Sequence, residues 1–284
     1  MKMNNFGNIP HRKKSSHKGN YGQLLVVAGS KNMIGAGLLT CKSALRSGVG
    51  KVSYALPESL QNIAASSVMS LITYGVSETS EKTISDKATS KIIKMAKQMQ
   101  CIAIGPGLSS HESTFKMVQN VLKNLSCIAV IDADGLNALE NKLDIVKNTP
   151  NKYILTPHPG ELSRLCKRSI EDILKKPKEI AIEFAKKYQC ILVLKTSNTI
   201  VTDGKRVYVN ETGNPSMAKA GSGDVLTGVI SSFVAQGFDP YQACVWSVFC
   251  HGRAGDIACG IYGEYGVMAE DLIEHIPEAI CELM

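Results

Sequence analysis

A chain of 284 residues has room for one large α/β domain or two small ones. Its 44% hydrophobic and 20% charged content is a globular profile and excludes a disordered chain. The net charge of +7 suits an anionic substrate, but the lysines are spread over helical segments (Lys91, Lys94, Lys97; Lys186, Lys187) without forming one stripe, which argues against a nucleic-acid binder.

The polar, basic stretch from Met1 to Gly22 lacks an apolar core segment and does not read as a signal peptide. Residues 1–17 are expected to be flexible or loosely packed. Strand patterns follow at Leu24–Ala28, Lys51–Ala55, Cys101–Ile104, Ile128–Ile131, Tyr153–Leu155 and Ile191–Leu194. Helical patterns lie between them, around Gly37–Ser47, Thr114–Lys123, Glu161–Cys166 and Ile170–Lys187. Apolar strands separated by crossover helices imply a parallel sheet buried on both faces. Thr199–Thr202 and Val207–Val209, joined through Asp203-Gly204, read as a hairpin. The rest is helical: Ser222–Gln236, Tyr241–Ala258 and Ala269–Met284. With no repeat, linker or break in composition, the expectation is a single domain over residues 1–284, a mostly parallel sheet between helical layers. No run approaches the ~18 apolar residues of a membrane span. Nine scattered cysteines without a Cys-x-x-Cys read as reduced thiols, hence a cytoplasmic chain.

Ligands of such sheets bind beyond the carboxyl ends of the strands. Small and polar clusters do follow the strand patterns: Gly29-Ser30, Gly105-Pro106-Gly107, Asp132-Ala133-Asp134, Thr156-Pro157-His158 and Lys195-Thr196-Ser197. Any one could be loop punctuation, but their recurrence implies one long crevice. The common phosphate motifs are absent. Gly48-Val49-Gly50-Lys51 lacks the P-loop spacing, and no Gly-x-Gly-x-x-Gly follows the first strand. His111-Glu112 has no zinc-ligand spacing after it, and there is no Gly-x-Ser-x-Gly elbow.

Chemistry concentrates at Ala220-Gly221-Ser222-Gly223-Asp224. Small residues before a helix leave backbone N–H groups free, and the helix dipole favours an anion there. A carboxylate at the mouth of such a cradle suits phosphoryl transfer to an alcohol, with Asp224 receiving the alcohol's proton. An ordinary helix start, with Ser222 as N-cap and Asp224 as a first-turn charge, accounts for the same residues.

The segment Asn214 to Asp224 resembles the anion-hole segment of the ribokinase-like superfamily. Further segments narrow the likeness to the ADP/ATP-dependent (S)-NAD(P)H-hydrate dehydratases. They are Gly35-Ala36-Gly37 with Ala44-Leu45-Arg46-Ser47-Gly48, Gly105-Pro106-Gly107-Leu108, Asp132 to Asn137, Leu155 to Glu161, and His251 to Asp256. The resemblance runs from about Lys18 to the C-terminus and implies a three-layer α/β/α sandwich. It also implies a repair reaction on hydrated NADH and NADPH. Hydroxide leaves poorly at neutral pH and phosphate leaves well. Phosphorylating the C6 hydroxyl from ADP or ATP, then expelling phosphate with help from the ring nitrogen, restores the dihydropyridine. The protein's part is positioning and charge stabilisation.

By this resemblance Asp224 is the catalytic residue, ionised and weakly basic at its helix start. Ala36, Gly107, His158 and Asp224 contact the hydrated dinucleotide. The nucleotide meets Lys195, Thr196, Ser197, Asn198, Thr199 and Gly223. His158 could instead merely fix its loop. The nucleotide loop of the family usually reads Lys-Gly-x-x-Thr, and Thr196 stands here for the glycine, which puts the loop geometry in doubt. Mg²⁺ accompanies the nucleotide without a direct protein ligand, with Glu161 in its outer shell. Asp132 and Asn137 line the crevice or mark a turn. Bacterial relatives imply a homotetramer, and larger bifunctional relatives carry an epimerase domain for which this chain is expected to have no room. A kinase of hydroxyethylthiazole type would keep Gly-Ser-Gly-Asp without the other segments. A non-catalytic adenylate-binding regulator would have lost Asp224, Gly223 or Lys195.

Overall fold

The computed structural model describes residues 7–147 and 153–284. Nine strands form one sheet: β1 (Gln23–Val27), β2 (Lys51–Pro57), β3 (Ile72–Val76), β4 (Cys101–Ile104), β5 (Ile128–Ile131), β6 (Tyr153–Leu155), β7 (Ile191–Leu194), β8 (Ile200–Thr202) and β9 (Val207–Val209). Their order is β3-β2-β1-β4-β5-β6-β7-β8-β9. The first seven are parallel, and β8 and β9 add antiparallel at the edge.

The inner strands β1 and β4 to β7 are almost wholly apolar because both faces are covered. In β1, Leu24 and Val26 point into one core, Leu25 and Val27 into the other. The first core holds α1 (Ile34–Arg46), with α2 (Gln61–Ser67) beside it. The second is covered by α3 (Thr89–Ala96), α4 (Glu112–Lys123), the single turn α5 (Asp134–Asn137), α6 (Pro159–Cys166), α7 (Ile170–Lys175) and α8 (Pro177–Tyr188). Returning to the first face, α9 (Ser222–Ala235), α10 (Pro240–Gly266) and α11 (Ala269–Cys281) complete the three layers.

The six strands read from the sequence are present, as are the hairpin and the ribokinase-like α/β layering. The segment expected as one helix over Ile170–Lys187 is two. Lys176 leaves the helical region (φ −137°, ψ 55°) because Pro177 crowds the residue before it. The helix expected from Tyr241 to Ala258 runs on to Gly266, with a break at Gly263 (φ 72°). Within the N-terminal stretch, Trp246 Nε1–H donates to Gly7 O (3.0 Å) and Ile9 N–H to Leu283 O (2.7 Å), while residues 1–6 lie outside the described residues.

β1 has β2 on one side and β4 on the other, so the chain's winding reverses between β1 and β4. That reversal opens a crevice at the carboxyl ends of the strands. The loops that follow meet there: Gly29 N–H donates to Pro106 O at 2.9 Å.

Candidate functional site

Three strand ends and one helix start build the centre of the crevice. Asp132 follows β5 and is 1% exposed. Its carboxylate accepts from Lys195 Nζ (2.6 Å) after β7, from Thr156 Oγ1 (2.7 Å) after β6 and from Thr227 Oγ1 (2.9 Å) on α9. The backbone turns sharply just beyond, with Ala133 at φ 47° and ψ −119°. A residue with a Cβ held there stores about 1–3 kcal/mol, and such strain persists only where the surroundings enforce it. Here Asp134 accepts from Ser109 N–H (2.8 Å) and fixes the turn against the neighbouring loop.

Lys195 lies between acids. Burial alone would lower its pKa, but Asp132 and Glu161, with Asp224 behind them, hold the ammonium above its usual value. Glu161 Oε2 stands 3.8 Å from Nζ and accepts from His158 N–H at 2.8 Å. Burial raises the Glu161 pKa and the Asp132 charge adds to the rise, against the pull of Lys195.

The helix start at 221–224 differs from the sequence reading in two respects. The N-cap is Gly221, in the left-handed region at φ 94°, and Ser222 is already helical. Glycine adopts this conformation at little cost, so the cap turns without a side-chain bond. Secondly, Asp224 is not a weak base. Burial first, then the Asp132 charge, raises its pKa to about 7, against Lys195 and whatever the helix dipole contributes. The expectation failed because sequence shows the helix end but not the neighbouring carboxylate. Gly223 opens the space above the central pair: a Cβ there would lie 3.4 Å from Lys195 Nζ and 3.9 Å from Asp132 Oδ2.

Ala36 and Gly107 come together from α1 and the β4 loop. A Cβ on Gly107, at φ 62°, would stand 3.0 Å from the Ala36 methyl and 2.7 Å from Met33 O. A cavity of about 320 Å³ bounded by Ser30, Met33 and Ser109 adjoins them. His158 caps α6: its Nδ1 accepts from Gly160 N–H (3.0 Å), while the side chain remains 53% exposed. Thr196 fits its loop because that position is not left-handed. Its Oγ1 donates to Asn198 O (2.8 Å), and Thr199 Oγ1 donates to Thr196 O (3.2 Å). Asn198 Nδ2 donates to Asn210 O (3.2 Å), tying the loop to the end of β9. Asn137 turns to Arg164, which donates to its Oδ1 at 2.8 Å.

Sequence reasoning gave no role to three groups in this arrangement. Thr227 stands one turn after Asp224, a spacing that places both on one helix face. His251 Nε2–H donates to Ser222 O (2.9 Å), and burial lowers its pKa to about 4, so it stays neutral at pH 7. Thr40 Oγ1 lies 2.9 Å from Ala36 O and 3.1 Å from Asp224 O, clamping α1 to α9. A cavity of about 870 Å³ lies at the opposite end of these two helices, among Arg12, Tyr21, Arg46, Phe233 and Phe238. Arg12 there donates to Gly48 O and lies on the Tyr21 ring, so its charge serves the helix C-terminus.

No helix among the described residues is long and apolar enough to cross a membrane. The family model described as NAD(P)H-hydrate dehydratase matches residues 24–278. A bifunctional NAD(P)H-hydrate repair enzyme of Moorella thermoacetica is 38% identical over 277 residues, which are 97% of this chain and 52% of that protein. The chain thus spans about half the length of the bifunctional relatives it matches. The ADP-dependent (S)-NAD(P)H-hydrate dehydratase of Bacillus subtilis is 34% identical over 95% of this chain and 92% of its own. A crystal structure of the B. subtilis ADP/ATP-dependent enzyme, co-crystallised with ATP/Mg²⁺, superposes with a TM-score of 0.83 at 30% identity, over 98% of this chain and 95% of that one. A cradle at the start of α9, the Lys195–Asp132 pair facing it and a model match across nearly the whole sheet and its helices agree: this chain belongs to the NAD(P)H-hydrate dehydratase family.

Proposed function

We propose that the chain restores NADH and NADPH from their S-hydrates, with ADP or ATP as phosphoryl donor. One observation carries the reading: a half-buried carboxylate, Asp224, sits in the first turn of α9 on the small-residue loop Gly221-Ser222-Gly223 and opposite Lys195. With a pKa of about 7, Asp224 can accept the C6 hydroxyl proton at neutral pH and hold it. The backbone N–H groups of the loop face the transferring phosphate, and Lys195 stabilises the charge that develops on it. Residues Lys195 to Thr199 and Gly223 take the nucleotide. Ala36, Gly107 and His158 take the hydrated dinucleotide, whose ring nitrogen then drives phosphate out.

The same reading includes Mg²⁺. Among the described residues no group of three or more His, Cys, Asp or Glu side chains forms a metal site. Yet Asp132, Glu161 and Asp224 crowd the Lys195 ammonium, so a polyphosphate alone would meet excess negative charge. An ion carried on the nucleotide fits this excess of carboxylates, with Glu161 in its outer shell and no direct protein ligand. When bound, the ion supplies neutralisation of phosphate charge. A homotetramer in the cytoplasm belongs to the reading as well. The described cysteines form no disulfide, and the exposed Ile261, Tyr262, Tyr265 and Met268 offer a surface for self-association, which sedimentation velocity would measure.

The test mixes the protein with hydrated NADH, Mg²⁺ and either nucleotide and follows the return of dihydronicotinamide absorbance. Asp224→Asn should lower kcat by ~10²–10⁴ with KM little changed. Recovery within a few-fold of the parent, or accumulation of a stable phosphorylated product, would overturn the reading.

A further inference from the structure

One face of α10 supports the run from Thr212 to Ser222 that leads into the cradle. Thr212 Oγ1 donates to Phe249 O (2.9 Å). Further along the helix, Asp256 accepts from Gly213 N–H (3.1 Å) and from Asn214 Nδ2 (2.9 Å). Gly252 and Gly255 let the two stretches of chain touch. A Cβ on Gly252 would lie 2.5 Å from Thr212 O, and one on Gly255 only 2.2 Å from Met217 Sδ. His251 reaches the far end of the run, where its Nε2 lies 2.9 Å from Ser222 O and 3.3 Å from Ser222 Oγ. A carbonyl oxygen can only accept, so Nε2 carries the hydrogen. Burial lowers the ring's pKa to about 4, which leaves it neutral in that tautomer at pH 7.

The carbonyl of Ser222 and the N–H of Gly223 belong to one planar trans peptide, so they point in opposite directions. Whatever fixes the one aims the other. Gly223 N–H stands in the first turn of α9, where backbone donors have no partner within the helix. Glycines at 221 and 223 flank this short stretch and leave its backbone free to turn, so the restraint has to come from another element. We propose that His251 is a positioning residue for the phosphate cradle: by holding Ser222 O, it aims the Gly223 N–H at the transferring phosphoryl group, while Asp256 holds the other end of the loop. The hydrogen bond to the carbonyl also polarises the peptide and makes its N–H the stronger donor. The proposal rests on reading Gly221-Ser222-Gly223 as the phosphate site.

The experiment compares two amides in the full chain. His251→Gln keeps an N–H donor near the place of Nε2, and His251→Asn carries the same group one carbon short of Ser222 O. In His251→Asn, kcat should fall ~10–100-fold, with the KM for hydrated NADH within about twofold of the parent. His251→Gln should recover kcat to within about threefold of the parent. Calorimetry reads the same restraint without turnover. Mg²⁺-ADP should bind ~3–10-fold more weakly to His251→Asn and normally to His251→Gln, whereas adenosine, which has no phosphate, should bind all three proteins alike. If the asparagine variant does not fold, His251→Phe, which keeps the ring volume and lacks the donor, carries the same expectation. Equal kcat and equal ADP affinity in the two amide variants, or a loss of adenosine binding in step with that of ADP, would overturn the proposal and leave His251 as packing. If the parent binds ADP but regenerates no NADH, the functional reading fails by itself, and the calorimetric comparison still decides whether His251 sets the cradle.

Discussion

Asp224 is held where its charge is disfavoured, and that has a sign that can be checked. Its pKa rises on folding from 3.8 to about 7, so folding is favoured by this group below pH 4 and loses that contribution as pH climbs to 7. Asp224→Asn removes the titration. The variant should match the parent near pH 4 and exceed it in stability by about 2–4 kcal/mol above pH 7, as denaturant unfolding at both pH values would read. A parent that is the more stable at pH 8 would contradict the burial argument. His158 has two separable parts, a cap and an exposed ring. His158→Ala should cost about 1 kcal/mol and weaken use of the hydrated dinucleotide. His158→Ser should return the stability and not the KM, whereas recovery of both would make the residue a cap alone. The position of Asp224 was legible in sequence from the small residues before it. Its acidity was not, since Asp132 is 92 positions earlier and only the sheet brings it near.

At the scale of elements, α1 and α9 are the pair that sets the site. Gly228 of α9 lies against α1, where a Cβ would stand 2.2 Å from Thr40 O and 2.0 Å from Ser43 Oγ. Gly228→Ala must push the helices apart. We expect a loss of about 2–4 kcal/mol in stability and a fall in kcat, because Ala36 and Asp224 ride on opposite sides of that contact. Gly260→Ala on α10, where nothing lies within 4 Å, should instead gain about 0.5–1 kcal/mol. Equal thermal shifts in the two variants would refute the close-packing account. Periodicity revealed most of the elements but missed β3. Ile72-Thr73-Tyr74-Gly75-Val76 is an edge strand with only Val76 fully buried, so burial leaves little apolar signature in it. The break before Pro177 is marked in the sequence by the proline alone, while the apolar pattern continues on both sides of it and reads as one helix.

For the whole molecule, alternation of strand and helix patterns revealed the layers, and the clusters after the strands revealed the crevice. The order of the strands was not legible, because pairing between distant segments leaves no local mark. Four of the site's side chains, at Asp132, Lys195, Asp224 and Thr227, meet across as many as 95 positions of sequence.

The placing of β4 between β1 and β5 bears on how the chain is made. As the polypeptide leaves the ribosome, β1 and β2 emerge first, and the second flank of β1 has no partner until residues 101–104 follow. Through that interval Leu24 to Val27 form an apolar strand with a bare edge, the kind of surface that recruits other nascent chains and chaperones. A slow passage of the ribosome across the intervening segment would lengthen that exposure.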